Sequence, residues 1–181
     1  MRILLIAIMC VCASLAGCNT ESRKASEYMG DGKIEYLPSP PLGINGWRVE
    51  LPRFALTENV EKTYSLAGLP EVNDYVVYLV IPSELPPEIK EVTFSSRVMQ
   101  GGKTLKELPP KKISEMINTY SSPQDNNFYF INRDPRSTND VNYVFNVIKD
   151  TAPLSLTISI HNPSVRLPLA AYVKVERGGF K

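Results

Sequence analysis

The chain has 181 residues, with 20 Lys and Arg against 19 Asp and Glu and a single histidine, for a formal net charge of +1 at pH 7. Neither sign forms a long block; the nearest basic group, Lys103, Lys106, Lys111 and Lys112, is interrupted by Glu107 and Glu115. A nucleic-acid binder carries a basic stripe, so no nucleic-acid partner is expected and the lysine group reads as a solvated face.

Arg2 is followed by an apolar run of thirteen residues, Ile3 to Leu15. A bilayer needs about 20 helical positions, so the run is too short to span and instead has the charged and apolar regions of a signal peptide. It ends in Leu15-Ala16-Gly17-Cys18, and the polar residues Asn19, Thr20, Glu21, Ser22, Arg23 and Lys24 follow at once. This segment resembles the lipobox of bacterial lipoproteins. The resemblance implies that residues 1–17 are removed and that Cys18 becomes the N-terminus, with a diacylglyceryl group on its sulfur and an acyl chain on its amine. Each buried methylene is worth about 0.8 kcal/mol, and two or three chains anchor a protein durably where one does not. The resemblance further implies export and a lipid anchor in the cell envelope. Because Asn19 is not the aspartate that retains such proteins at the inner membrane in enteric bacteria, it points to the outer membrane, facing the periplasm. A membrane, met through the anchor, is the first expected partner.

Processing of this kind would leave 164 residues in which Cys18 is the one cysteine, since Cys10 and Cys12 lie in the removed segment. No disulfide could then form within one chain. At this length a single domain buries roughly two thirds of its unfolded surface, so one domain held by its hydrophobic core is expected.

Residues 18–45 are polar and then proline-rich, with Leu37-Pro38-Ser39-Pro40-Pro41 the stiffest part. Without a helical or strand period, this stretch is expected to be the lipidated N-terminus and a tether, reaching at most roughly 90 Å when fully extended. The alternative is that Ile34, Tyr36 and Leu37 dock as an edge strand. The domain proper is expected over residues 46–181.

From Gly46 onward the pattern is that of strands. Trp47, Val49 and Leu51 alternate with polar residues, as do Leu154, Leu156, Ile158 and Ile160, and Ala171, Val173 and Val175. Tyr75 to Ile81 is continuously apolar and is expected to run through the middle of the structure. Further strands are expected at 62–66, 91–99, 103–105, 128–131 and 142–148, with Gln100-Gly101-Gly102 as a hairpin turn. Ile113, Met116, Ile117 and Tyr120 fall at i, i+3, i+4 and i+7, after Pro109-Pro110 and before Ser121-Ser122-Pro123, the spacing of a short amphipathic helix. The expected fold is all-β: an antiparallel β-sandwich of immunoglobulin-like or jelly-roll type with that one helix. The fifteen prolines suit it, since they break helices and blunt edge strands.

Catalytic signals are sparse. His161 continues the outward set of Ser155, Thr157 and Ser159, so it is expected exposed at a strand end, about 7 Å from Ser159 and too far for direct proton transfer. With no second histidine, zinc sites and local-motif triads are excluded, and no glycine-rich loop has phosphate-binding spacing. A pair of carboxylates brought together by the fold stays open. The oxygen-rich stretch around 125–140 contains Asp125, Asn126, Asn127, Asn132, Asp134, Asn139 and Asp140. Calcium takes six to eight oxygens, which makes Asp125, Asp134 and Asp140 candidate ligands. Turn chemistry accounts for the same residues, and Arg133 and Arg136 would repel a cation. Trp47 reads as core, and no exposed aromatic stripe is evident.

The expected role is a lipid-anchored, non-enzymatic binding, scaffold or adhesion module that meets a protein partner or an envelope polymer and needs no cofactor. The alternatives are a calcium- or carbohydrate-binding module using residues 125–140, and a cell-wall glycan hydrolase using paired carboxylates.

Overall fold

The computed structural model describes residues 27–37, 46–56, 59–71, 75–82, 87–120, 127–132, 144–147, 152–162 and 170–177. Twelve strands occur among them: β1 (Lys33–Leu37), β2 (Gly46–Glu50), β3 (Phe54–Ala55), β4 (Asn59–Ser65), β5 (Tyr75–Pro82), β6 (Thr93–Gln100), β7 (Lys103–Lys112), β8 (Ile117–Tyr120), β9 (Asn127–Ile131), β10 (Val144–Phe145), β11 (Leu154–His161) and β12 (Ala170–Arg177). They form two antiparallel sheets, one of order β1-β2-β12-β5-β9-β8, with β10 on β5 and β3 on β12, the other of order β4-β11-β6-β7. The protein is an all-β sandwich.

The strand period decides which residues enter the space between the sheets. From the larger sheet come Trp47 and Val49 of β2, Tyr75, Val77, Leu79 and Ile81 of β5, and Ala171, Val173 and Val175 of β12. Phe94 and Val98 of β6 and Leu154, Leu156, Ile158 and Ile160 of β11 face them from the smaller sheet. Each fully buried Val, Leu, Ile or Phe among them contributes about 1.5–3 kcal/mol relative to full exposure. As its unbroken apolar run demands, β5 lies between β12 and β9 and is buried on both faces. Its alternate set, Val76, Tyr78 and Val80, joins Ile131 and Tyr172 in a second buried cluster on the outer side of the larger sheet.

The turn at Gly101-Gly102 has positive φ at both residues, 56° and 80°, as a tight right-twisting hairpin requires. The strand after it runs on past Leu105 to Lys112, because β7 is an edge strand and tolerates Pro109-Pro110, which sits in a register shift between the pairs Phe94–Lys111 and Ser96–Leu108.

The short helix expected over Ile113 to Tyr120 is not formed. Ile113–Glu115 makes one 3-10 turn, the backbone is extended at Lys112 and at Met116, and Ile117–Tyr120 is the edge strand β8, paired with Phe128–Ile131. Eight residues repay helix nucleation poorly, whereas β-branched Ile117 and Thr119 suit a strand and β9 supplies partners for their backbone. Ile113 and Met116 are buried as their apolar character requires, but from a turn.

Residues 33–37, open to both a tether and an edge strand, form the strand. β1 pairs with β2 from Lys33–Glu50 to Leu37–Gly46, and Tyr36 packs on Trp47 with ring centroids 4.9 Å apart. The residues before it attach to the other sheet: the Met29 and Asp31 amides donate to the Ala67 and Ser65 carbonyls at 2.9 and 2.8 Å, and the Ser65 amide donates to Asp31 Oδ2 at 2.7 Å. Residues 27–37 thus strap β4 to β2 along one side of the sandwich. The chain reverses at Gly32, whose φ is +82° and where a Cβ would collide with the Glu50 carbonyl. The folded domain therefore begins upstream of residue 46.

Candidate functional site

The outward positions of the smaller sheet are mostly polar, and those at its centre are short. In register across the strands they run Ser65–Ser155–Met99, then Thr63–Thr157–Arg97–Glu107, then Glu61–Ser159–Ser95, then Asn59–His161–Thr93–Lys112. The alternation with core residues of β4, β6 and β11 puts them there. Because Ser and Thr are small, the longer Glu61, Arg97 and Glu107 stand above them and leave a shallow groove of about 240 Å³. Ser95, Thr157 and Ser159 line its floor with hydroxyls, and Leu108 and Pro110 give it a short apolar margin. Arg97 Nη2 donates to Glu107 Oε1 at 2.7 Å across the β6–β7 pair, and the Thr63 and Thr157 hydroxyls meet at 2.9 Å.

This is a surface of paired donors and acceptors without an aromatic platform among the lining residues. It can hydrogen-bond a polyhydroxylated chain lying across the strands. Glu61 and Glu107 are its two carboxylates; they stand on the two outer strands of this sheet, three strand spacings or about 14 Å apart at the backbone, and Arg97 already holds Glu107.

His161 is exposed at the end of β11, with Nδ1 2.6 Å from Asn59 Oδ1. It faces the same side as exposed Ser159, and its contact with Asn59 orients the ring across the strand pair. Cys18 and the three calcium candidates Asp125, Asp134 and Asp140 lie outside the described residues. Of the oxygen-rich stretch, Asn132 is described and is structural: it is buried, and its Nδ2 donates to the carbonyls of Pro109 at 2.8 Å and Phe94 at 3.4 Å, joining the end of β9 to the opposite sheet. Among the described residues no group of three or more His, Cys, Asp or Glu is placed to hold a metal.

The outer side of the larger sheet has a different character. Lys174, 4% exposed, sits beside the apolar cluster with Nζ 2.7 Å from Glu176 Oε2 and 4.6 Å from the centre of the Tyr78 ring. The same carboxylate oxygen accepts from Arg48 Nε at 3.0 Å. Burial by itself would raise the Glu176 pKa, but Lys174 and Arg48 outweigh it and hold the carboxyl below its ordinary range. Farther along this side Arg53 lies over the Tyr172 ring at 5.6 Å. Elsewhere, burial raises the pKa of the Tyr75 hydroxyl, which donates to the Pro70 carbonyl at 2.9 Å.

The alternation of Ala171, Val173 and Val175 puts Tyr172, Lys174 and Glu176 on the other face of β12, but the ion cluster is not visible in the sequence, because its other members come from β2 and β5. Nor is the groove, whose floor is shared by β6 and β11. The available signal was the Ser/Thr alternation in several strands at once. No protein-family model matches the chain, and neither a curated protein nor a solved structure matches it.

Proposed function

We propose that this protein is a lipid-anchored component of a bacterial cell envelope, whose β-sandwich is a non-enzymatic binding or scaffold module. The observation that carries the reading is Leu15-Ala16-Gly17-Cys18, placed directly after a short apolar segment and directly before a polar one. A small sandwich with a hydrogen-bonding groove on one side is a suitable module to hold at a membrane. Acylation at Cys18, export and an outer-membrane position facing the periplasm belong to this proposal.

The test is Cys18→Ala. The described core is built from residues downstream of Cys18, so the variant domain should melt at the wild-type temperature while the protein loses membrane association. Mass spectrometry of the wild-type mature chain should find an N-terminal peptide beginning at Cys18 with acyl mass. A free thiol or another start site rejects the reading.

A second reading names the ligand. The groove bounded by Glu61, Arg97 and Glu107 favours a polyhydroxylated envelope polymer, since its hydroxyls and charged rim match alternating donors and acceptors. Co-sedimentation with purified cell-wall polymer should fall for Glu61→Ala and for Ser159→Ala; undiminished sedimentation removes this reading. The glycan-hydrolase alternative has less support, because Glu107, one of the two carboxylates of the groove, is engaged by Arg97. For calcium at 125–140, saturation at one hundred times the dissociation constant would add about 2.7 kcal/mol of stability. An unchanged melting curve in millimolar calcium removes it.

A further inference from the structure

We infer that one pole of the sandwich rests against the bilayer: the pole carrying residues 27–31, the Ala67-Gly68 turn and the Gly101-Gly102 turn, with the Met29 side chain in the interfacial layer of the lipid. The inference deepens the proposal above and rests on acylation at Cys18.

Three observations lead to it. The first is the length of chain between anchor and fold. The strap begins at Glu27, so eight residues, 19–26, separate it from Cys18, and nine peptide spacings reach at most about 30 Å. The roughly 90 Å reach expected of residues 18–45 is cut to a third, because residues 27–37 are taken up by the fold.

The second is where the strap attaches. Met29 bonds to Ala67, Leu66 to Leu154, and Gly101 to Pro153, a line of backbone hydrogen bonds that crosses one end of the smaller sheet. The opposite end carries Asn59, His161, Thr93 and Lys112 in register, with the turn residues Lys90 and Glu115 nearby. Seven- and eight-residue strands separate the poles by about 25 Å. To turn the far pole to the membrane, the connecting residues would have to run almost fully extended along the domain, which forfeits nearly all their conformational freedom.

The third is Met29 itself. It is 81% exposed, and it is the one large hydrophobic side chain so exposed among the described residues. Its amide donates to the Ala67 carbonyl, so the backbone that carries this exposed side chain is fixed at the pole of the Ala67-Gly68 turn. A flexible thioether chain fits the irregular boundary between headgroups and acyl chains. Glu27, Asp31 and Lys103 give this pole charges of both signs, so the contact is apolar and needs no anionic lipid.

The experiment uses the mature acylated chain in neutral phosphatidylcholine vesicles containing a small fraction of nickel-chelating headgroup lipid. With its cysteine sulfur acylated, the chain accepts a spin label at an introduced cysteine alone. Met29→Cys and Lys103→Cys mark the near pole; Lys90→Cys and Glu115→Cys mark the far one, and all four positions are exposed. Relaxation by the lipid-bound nickel should be several-fold stronger at 29 and 103 than at 90 and 115. A flexible Gly/Ser spacer of about twenty residues inserted after Lys24 should erase the difference, since it restores a long tether. Equal relaxation at the two poles of the unlengthened acylated chain, or stronger relaxation at the far pole, overturns the inference. An unacylated mature chain, detected by mass spectrometry before labelling, overturns the anchor reading and this orientation with it.

Discussion

Glu176 is the residue on which the charged part of the larger sheet depends, because one carboxylate oxygen serves both Lys174 and Arg48. Lys174 is almost without water contact, so removing its counter-charge leaves a cation that the fold must either hydrate or discharge. Glu176→Gln should cost about 3 kcal/mol, the lower end for a broken buried pair, since a fifth of the Glu176 side chain still meets solvent. Its pH dependence has a definite sign. The folded carboxyl titrates below the unfolded value, so its contribution is complete above the ordinary glutamate range and is lost as pH falls through the lower folded value. Urea melts of wild type and Glu176→Gln should therefore converge in acid and diverge toward neutrality; a constant gap would refute the ionic account. Arg97 and Glu107 offer the contrast. Both are about half exposed, such pairs are worth at most about 1 kcal/mol, and Arg97→Ala should leave the melting temperature nearly unchanged while altering the groove.

At the scale of elements, the strap and β8 show how pairing overrides local pattern. Gly32 has to adopt a left-handed backbone with no room for a side chain beside the Glu50 carbonyl. Left-handed geometry costs an L-residue about 1–2 kcal/mol before any clash. Gly32→Ala should therefore release residues 27–37, seen as rapid hydrogen exchange at the Met29 and Asp31 amides, while Val77 and Leu79 of β5 stay protected. Slow exchange at Met29 in that variant would show that the strap does not need the reversal. For β8 the apolar spacing Ile113, Met116, Ile117, Tyr120 is real and fits a helix, yet it also fits a buried turn followed by a strand. Only the presence of β9 as a neighbour separates the two, and that neighbour comes from residues 127–131. β1 makes the same point, because the prolines that follow it read as tether whereas Tyr36 had Trp47 to pack on.

For the whole molecule, stability resides in the layer between the sheets. Leu156 is fully buried in the central strand pair of the smaller sheet, so Leu156→Ala should cost about 2–5 kcal/mol, measured by chemical denaturation. A loss below about 1 kcal/mol would mean that the layer can collapse around the gap. The all-β class, the place of β5 at the centre, the Gly101-Gly102 turn and the exposure of His161 were all legible in the sequence. Each follows from side-chain period or from backbone freedom, which neighbours along the chain determine. The resemblance of Leu15-Ala16-Gly17-Cys18 to a lipobox is likewise a local pattern, and the proposed site of attachment makes no reference to the fold. What only the tertiary structure decided are the features that need strands distant in sequence to meet: the groove over β6 and β11, the burial of Lys174 among β2, β5 and β12, the strand in place of a helix at 117–120, and the inclusion of residues 27–37 in the fold. Periodicity states which face a residue takes, but the identity of the strand beside it is a matter of sheet order, and sheet order is settled by the summed burial and hydrogen bonding of the complete chain.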